Sequence, residues 1–365
     1  MTIAEIIAHL ESIAPSTYQE HYDNAGLLTG NPEWHCSGML CTLDATEEVI
    51  QEAISKQCNM IIAHHPIIFN GFKKINGKNY VERAVIKAIK NDVAVYAIHT
   101  NLDNVIHGVN GRMADELGLI NRKILAPKGN TLKKLFTFVP VNHVEEVREA
   151  LFGAGAGTIG KYSECSFNVE GTGTFTGNET SNPFVGQPGK RHSEMELKVE
   201  VVFPSYLQHA VVTALKSAHP YEEVAYDVVG LSNDHPEIGA GLIGELPQPM
   251  DVKAFLNLLK HQFKLPVIRH TSLMGKPVQR IAVCGGAGSF LISKALSGKV
   301  DVFVTADMKY HEFFDGEDKM VICDIGHYES EQFTIDLLAA ILHKKFPTFA
   351  VLKSGIQTNP VHYYF

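Results

Sequence analysis

The chain has 365 residues, 45% hydrophobic and 20% charged, with 32 basic against 40 acidic residues for a formal net charge of -8. This length exceeds one average hydrophobic core, so two or three domains are expected, and no basic block is present that could neutralise a run of phosphates, which argues against nucleic acid as a partner. The six cysteines, at 36, 41, 58, 165, 284 and 323, include no CxxC pair; this argues against a thiolate zinc site and a disulfide framework and fits a reducing cytoplasm.

In chain order, "MTIAEIIAHLESIAPS" carries neither the basic segment nor the continuous apolar run of a signal peptide. Ile3, Ile6, Ile7, Leu10 and Ile13 share one helical face, and Thr2 with Glu5 offers a capping box. No later segment reaches the roughly 20 apolar residues of a membrane span, so the chain reads as soluble. From about 38 to 120 the runs "GMLCTLDA", "NMIIAHHP" and "VAVYAIHTNLD" alternate with the helical stretches "TEEVIQEAISKQC" and "YVERAVIKAIKND", which predicts βαβ units and a largely parallel sheet. Ligands of such sheets sit beyond the carboxyl ends of the strands, where "AHHP" and "IHTNLD" both fall.

Near "KILAPKGN" the pattern changes to β, α, β, β, α, β, the ferredoxin-like order. Between the second and third of those strands, "GTGTFTGNETSNPFVGQPGKRHSE" reads as an exposed mobile loop. After "GAGLIGELPQP" the α/β alternation returns. The simplest architecture is an α/β domain in two pieces, 1–128 and 238–365, interrupted by an α+β module at 129–237, so that the two pieces share one cleft.

In "DIGHYESEQF", His327 and Glu331 are four apart and fall on one face of any helix that begins there. His99 and Asp103 are also four apart; Asp103 either binds a metal or caps the helix near "VNGRMADEL". Taken with the paired His64 and His65, three strand ends deliver only nitrogen and oxygen donors. Such donors suit zinc, manganese or iron. Five of them exceed the needs of one open catalytic ion and match two ions about 3.5 to 4 Å apart with a bridging carboxylate. Pro66 holds His65 in extended backbone, so the two histidines diverge. The glycine-rich turn "CGGAGSF" at 284–290 is either a phosphate turn or room for a close neighbour.

"DNAGL" at 23–27, "AHHP" at 63–66, "HTNLD" at 99–103, "TADMKYHE" at 305–312 and "GHYESE" at 326–331 together resemble the Nif-three-like family, also called GTP cyclohydrolase I type 2 homologues. The sequence resembles especially its longer, YqfO-like bacterial members, whose PII- or CutA-like module "AHPYEEVAYDVV" resembles. The resemblance implies a dinuclear metal cleft with His64, His65, Asp103, His327 and Glu331 as ligands, Glu331 bridging. It further implies two divalent ions per chain, zinc first and manganese or iron as alternatives, and a homo-oligomeric, hexameric ring. His99, Asp307, Tyr310 and His311 are then expected to line the cleft, either acting on substrate or orienting a ligand. Ala306 stands where the family's pattern has glycine.

Two function classes follow. One is a metal-dependent hydrolase, in the family's terms a GTP cyclohydrolase I type 2 that opens the purine ring, with a phosphoesterase on the same metals as a variant. The other is a regulatory or scaffold protein for metal delivery or sensing, with the module serving a partner or effector. A small-molecule or nucleotide substrate suits the first. A toroid around DNA would need a basic lining that the acidic balance does not announce.

Overall fold

In the computed structural model, which describes residues 1–364, Thr2 opens the first helix, Ile3–Ile13. Its hydroxyl accepts from the Glu5 amide at 3.3 Å and the Glu5 carboxylate accepts from the Thr2 amide at 2.6 Å, a reciprocal cap. Ile3, Ile6 and Leu10 are fully buried and pack on a five-stranded sheet. Its strand order is Gly26–Thr29, Ala94–Ala97, Met60–Ala63, Met39–Thr42, Val351–Lys353. The last four run parallel and Gly26–Thr29 antiparallel.

Met39, Cys41, Met60, Ile62, Ala94 and Tyr96 face the N-terminal helix. The alternate residues Leu40, Ile61, Ala63 and Val95 meet Val49, Ile50 and Ala53 of helix Glu47–Ser55 and Ala84 and Ala88 of helix Tyr80–Lys90. Both faces are therefore dry, which is why these strands read as unbroken apolar runs and not as alternation.

A second sheet has the order Arg269–His270, Val321–Asp324, Val302–Ala306, Val278–Ala287, Gly239–Met250, Ile120–Pro127. Only the pairings among Val321–Asp324, Val302–Ala306 and Val278–Ala287 are parallel. Phe255 and Leu259 of helix Val252–Gln262 cover one face and Leu291, Ile292 and Ala295 the other. Burying a side chain such as Phe255 contributes about 1.5–3 kcal/mol. Two of these strands differ from the sequence reading, which took "KILAPKGN" and "GAGLIGELPQP" as transitions. Pro247 and Pro249 fall where the register against Val278–Ala287 shifts, between Glu245 and Met250, a place where a missing N–H is tolerated.

Both sheets belong to one compact unit, Met1–Pro127 together with the chain from Glu237 on; Lys128–Pro236 forms a second. The second unit has strands Leu132–Pro140, Ser166–Phe175, His192–Pro204 and Tyr226–Leu231 and helices Val144–Gly153 and Gln208–Ala218. Its sheet is antiparallel throughout, with the second, third, first and fourth strands side by side, the ferredoxin-like order. Leu135, Val139, Val147, Leu151, Val199, Val201, Phe203, Val211 and Leu215 form its core. The stretch 171–194 is less of a loop than its composition suggests. The ladder runs from Gly171 opposite Glu196 to Phe175 opposite His192, which leaves 176–191 as the irregular part. An exposed hairpin needs backbone pairing but no apolar side chains, so its pattern carries no burial signal. The fold class is mixed α/β.

The turn after Asp103 depends on a close backbone approach. A Cβ on Gly108 would lie 1.7 Å from the Leu102 carbonyl oxygen, whereas one on Gly71 would meet nothing within 4 Å. Gly108→Ala is therefore expected to lower unfolding stability by about 3 kcal/mol or more, and Gly71→Ala to leave it nearly unchanged. Urea unfolding midpoints of the two variants check this.

Candidate metal centre

His64 and His65 follow strand Met60–Ala63, and Asp103 closes the helical turn Thr100–Asp103 after Ala94–Ala97. His327 and Glu331 are the first and last residues of a short helix that follows strand Val321–Asp324. Each side chain thus leaves the carboxyl end of a parallel strand, and the two sheets bring them together. The cap reading of Asp103 does not hold: helix Val109–Glu116 has Gly108 at its N-cap and no side-chain bond there. Asp103 Oδ1 is instead buried with no hydrogen-bond partner, as is His64 Nε2. The two atoms are 3.6 Å apart, too far to bond each other.

Glu331 joins them. Its Oε1 lies 3.9 Å from His64 Nε2, while its Oε2 lies 2.9 Å from His65 Nε2 and 3.2 Å from His327 Nε2. Donor atoms of His64, Asp103 and Glu331 all lie within 4.8 Å of one another, and so do those of His65, His327 and Glu331. A third group of this spacing joins His64 and His65 to His99. These clusters can hold a metal ion.

Three of the imidazoles are turned by an oxygen at Nδ1: Ile98 O at 2.9 Å for His64, Asp44 Oδ1 at 2.8 Å for His65 and Asp307 Oδ2 at 2.7 Å for His327. That bond directs Nε2 into the cluster. Burial opposes charge on His65, but the bonds to Asp44 and Glu331 outweigh it and lift the group to about 10. His327, likewise opposed by burial and held by Asp307 and Glu331, rises to about 11. Burial keeps His64 low, and burial followed by repulsion from Glu331 pushes Asp103 well above the usual carboxylate range. Glu331 is held far below that range despite its burial, foremost by His327 and with His64 and His65 helping. A divalent cation would satisfy the unpartnered His64 Nε2 and Asp103 Oδ1 together, so the donor set fits such an ion.

Gly285 and Gly286 lie under Glu331. A Cβ on Gly286, whose φ is +61°, would stand 2.6 Å from Glu331 Oε1 and 3.2 Å from His327 Cε1. Both amides are occupied, Gly285 donating to Asn110 Oδ1 and Gly286 to Ser330 Oγ, each at 2.9 Å. These two glycines therefore provide room for Glu331, and their amides are not free for a phosphate.

Of the remaining sequence candidates, His99 has its Nδ1 2.8 Å from Asp23 Oδ1, with its ring 5.3 Å and 5.4 Å from those of His64 and His65. Asp23, lowered to about 2 because His99 and Thr100 overcome its burial, is the acid of "DNAGL". Asp307 turns His327; its own φ of 56° follows Ala306, a fully buried residue outside the left-handed region, so the alanine fits without strain. Tyr310 and His311 meet edge to face, exposed, and do not line the cleft, contrary to expectation: they lie on the turn Tyr310–Gly316.

Sequence reasoning missed Asp44, Asn110 and Thr358. Asp44 follows strand Met39–Thr42, the same signal that marked His64, and its second oxygen accepts from Thr358 Oγ1 at 2.6 Å. Asn110 also donates to the Asp103 carbonyl at 3.0 Å. Nothing in the sequence announces Thr358. A cavity of about 890 Å3 opens over the cluster. Among the described residues no helix is long and apolar enough to cross a membrane.

Comparison with known proteins meets this geometry. The model of the Duf34/NIF3 (NGG1p interacting factor 3) family matches residues 1–360. The chain belongs to that family. Duf34/NIF3 relatives include a protein of Halalkalibacterium halodurans, 39% identical over 360 residues (97% of each chain), and one of Bacillus subtilis, 38% identical over 362 residues (98% of this chain, 97% of that one). Both are called GTP cyclohydrolase 1 type 2 homolog. A solved Bacillus cereus protein related to NIF3 superimposes with a TM-score of 0.87 at 38% identity, covering 100% of this chain and 99% of that one.

Two outcomes are expected of this Duf34/NIF3 centre. Asp44→Asn and Asp307→Asn, which loosen His65 and His327 without removing either, should each weaken zinc affinity about 10–100-fold in competition with a chromophoric chelator. Gly286→Ala should keep the fold by circular dichroism yet bind less zinc per chain by elemental analysis, because its Cβ displaces Glu331.

Proposed function

We propose that the chain holds two divalent ions, one on His64, Asp103 and Glu331 and the other on His65, His327 and Glu331, and works as a metal-dependent hydrolase. The observation that carries this reading is that Glu331 offers one oxygen to each trio. Imidazole and carboxylate donors suit zinc first, then manganese or iron. Two such ions, when bound, supply Lewis acidity that acidifies water and polarises a substrate oxygen or ring atom.

The chain's own residues do the rest. Asp44, Asp307 and the Ile98 carbonyl fix the ligand rings. His99, held by Asp23, presents its other face to the cleft beside Phe69, where it can exchange a hydrogen bond with a bound molecule. The relatives' name directs the first substrate test to GTP. In that reaction water attacks C8 of the purine, the imidazole ring opens and a second water releases formate; the ribose then rearranges and two of its carbons close a new ring on the freed amines with loss of water, giving dihydroneopterin triphosphate. The module at 128–236 fits a PII- or CutA-like role in effector binding or in assembling a homohexameric ring, and the cytoplasm is the compartment that suits the reduced cysteines.

A second reading, metal delivery or sensing without turnover, is favoured by one observation: the cleft offers a nucleotide's phosphates only Arg269 among its Lys and Arg residues, and that guanidinium already pairs with Asp324 at 2.9 Å. Zinc-, manganese- or iron-loaded protein assayed for formate from GTP separates the two. Turnover that Glu331→Gln lowers at least about 100-fold with the oligomer intact supports the hydrolase; tight metal binding with no release of formate or phosphate from any ester supports the second reading. His64→Ala and His327→Ala should each reduce metal content below two ions per chain, and unchanged stoichiometry in either would remove the ligand assignment.

A further inference from the structure

Seven carboxylates line the cavity, Asp44, Asp307, Asp324 and Glu329 among them, against Arg269 as the one Lys or Arg. Arg269 already serves the protein: one nitrogen bonds Asp324 Oδ2 at 2.9 Å, another the Met308 carbonyl at 3.0 Å, and its Cζ lies 5.1 Å from the Phe313 ring centre. Two divalent ions would not reverse the sign, since the carboxylates still outnumber the positive charges. Of the glycine amides beside the cluster, those of Gly285 and Gly286 are taken by Asn110 and Ser330.

Aromatic side chains line the same cavity: Tyr22, Phe69, Tyr80 and Phe290, each at least half exposed. Exposed aromatic faces stack on planar bases without regard to their identity, and about 890 Å3 is ample for a ring system with a sugar. With such a ring held at the metal ligands, a polyphosphate tail would run along walls that carry Asp and Glu.

From this we infer that the cleft takes a planar nitrogen heterocycle without a phosphate tail, a nucleobase or nucleoside and not a nucleotide, an inference that rests on the dinuclear hydrolytic reading above. The aromatic side chains bind the ring and the acidic lining selects against its phosphorylated forms. Like charges placed together raise specificity by repulsion, without adding a contact to the preferred ligand.

Equilibrium dialysis of the zinc-loaded full chain against guanosine, GMP and GTP at low salt, with zinc content measured afterwards, tests it. Affinity should fall along that series, with GTP at least about tenfold weaker than guanosine, and added salt should narrow the gap by screening. Tyr80→Ala and Phe290→Ala should weaken guanosine about fivefold or more at unchanged zinc content. Tighter binding of GMP or GTP than of guanosine overturns the inference, as does no binding of guanosine, or guanosine affinity that neither aromatic variant alters. Formate release is followed in the same samples: guanosine bound in the expected order without turnover sinks the hydrolase reading and leaves the ligand class standing.

Discussion

Glu331 is a carboxylate with 3% of its side chain exposed, set within 4 Å of three imidazole nitrogens. Removing such a charge from water costs several kcal/mol unless partners surround it, and much of the molecule is arranged to provide them. The helix that carries Glu331 is only five residues long, His327–Glu331, so it contributes little stability of its own. Its position comes from contacts at both ends. Ser330 Oγ donates to the His327 carbonyl at 2.7 Å and accepts from the Gly286 amide, while two glycines leave space for the carboxylate itself. Each of these residues is explained by the need to hold one buried anion in one place.

The supports extend outward in a second ring. His65 is held by Asp44, Asp44 by Thr358, and Asn359 donates to Glu329 at 3.0 Å on the same short helix that bears His327 and Glu331. The C-terminal segment thus ties the strand end that carries Asp44 to the helix that carries two cluster residues. Asn110 makes an equivalent link on the other side, from the Asp103 carbonyl to the Gly285 amide. A site assembled from two sheets needs such ties, because a positional error of about 1 Å between its halves is enough to spoil a metal or catalytic geometry.

How much of this was legible follows from where each residue's signal lives. His64, His65, Asp103, His327 and Glu331 stand next to apolar strand runs, and Glu331 repeats His327 at helical spacing, so local pattern was sufficient to single them out. Asp44 carried the same signal and was overlooked only because a lone aspartate after a strand is ordinary turn chemistry. Thr358 acts through Asp44, 314 residues away, and Asn110 ties Asp103 to Gly285, 175 residues away, and no local period encodes such a contact. Tyr310 and His311 fail for the opposite reason: they sit in a motif beside Asp307, but the turn that carries them points them to solvent. In Ser166–Phe175, paired along its length with His192–Pro204, the backbone is regular while most side chains are exposed, so composition alone suggests a longer loop.

The two strands that sequence reading took for transitions account for how an interruption of the first unit leaves its site intact. Ile120–Pro127 and Gly239–Met250 are antiparallel neighbours in the second sheet, with Pro127 and Gly239 directly paired. The chain therefore leaves and re-enters at adjacent backbone positions, and the intervening residues stand topologically where a hairpin loop would. Lengthening a loop whose ends already meet adds entropy cost only logarithmically, and neither strand carries a residue of the cluster. These two strands form the edge of the sheet and its neighbour, whereas His327 and Glu331 follow Val321–Asp324 farther along it. The physical condition for accommodating a whole module is thus the same one that conceals it in the sequence: paired, proline-bearing strands whose pattern resembles a linker because their other partner is far away in the chain.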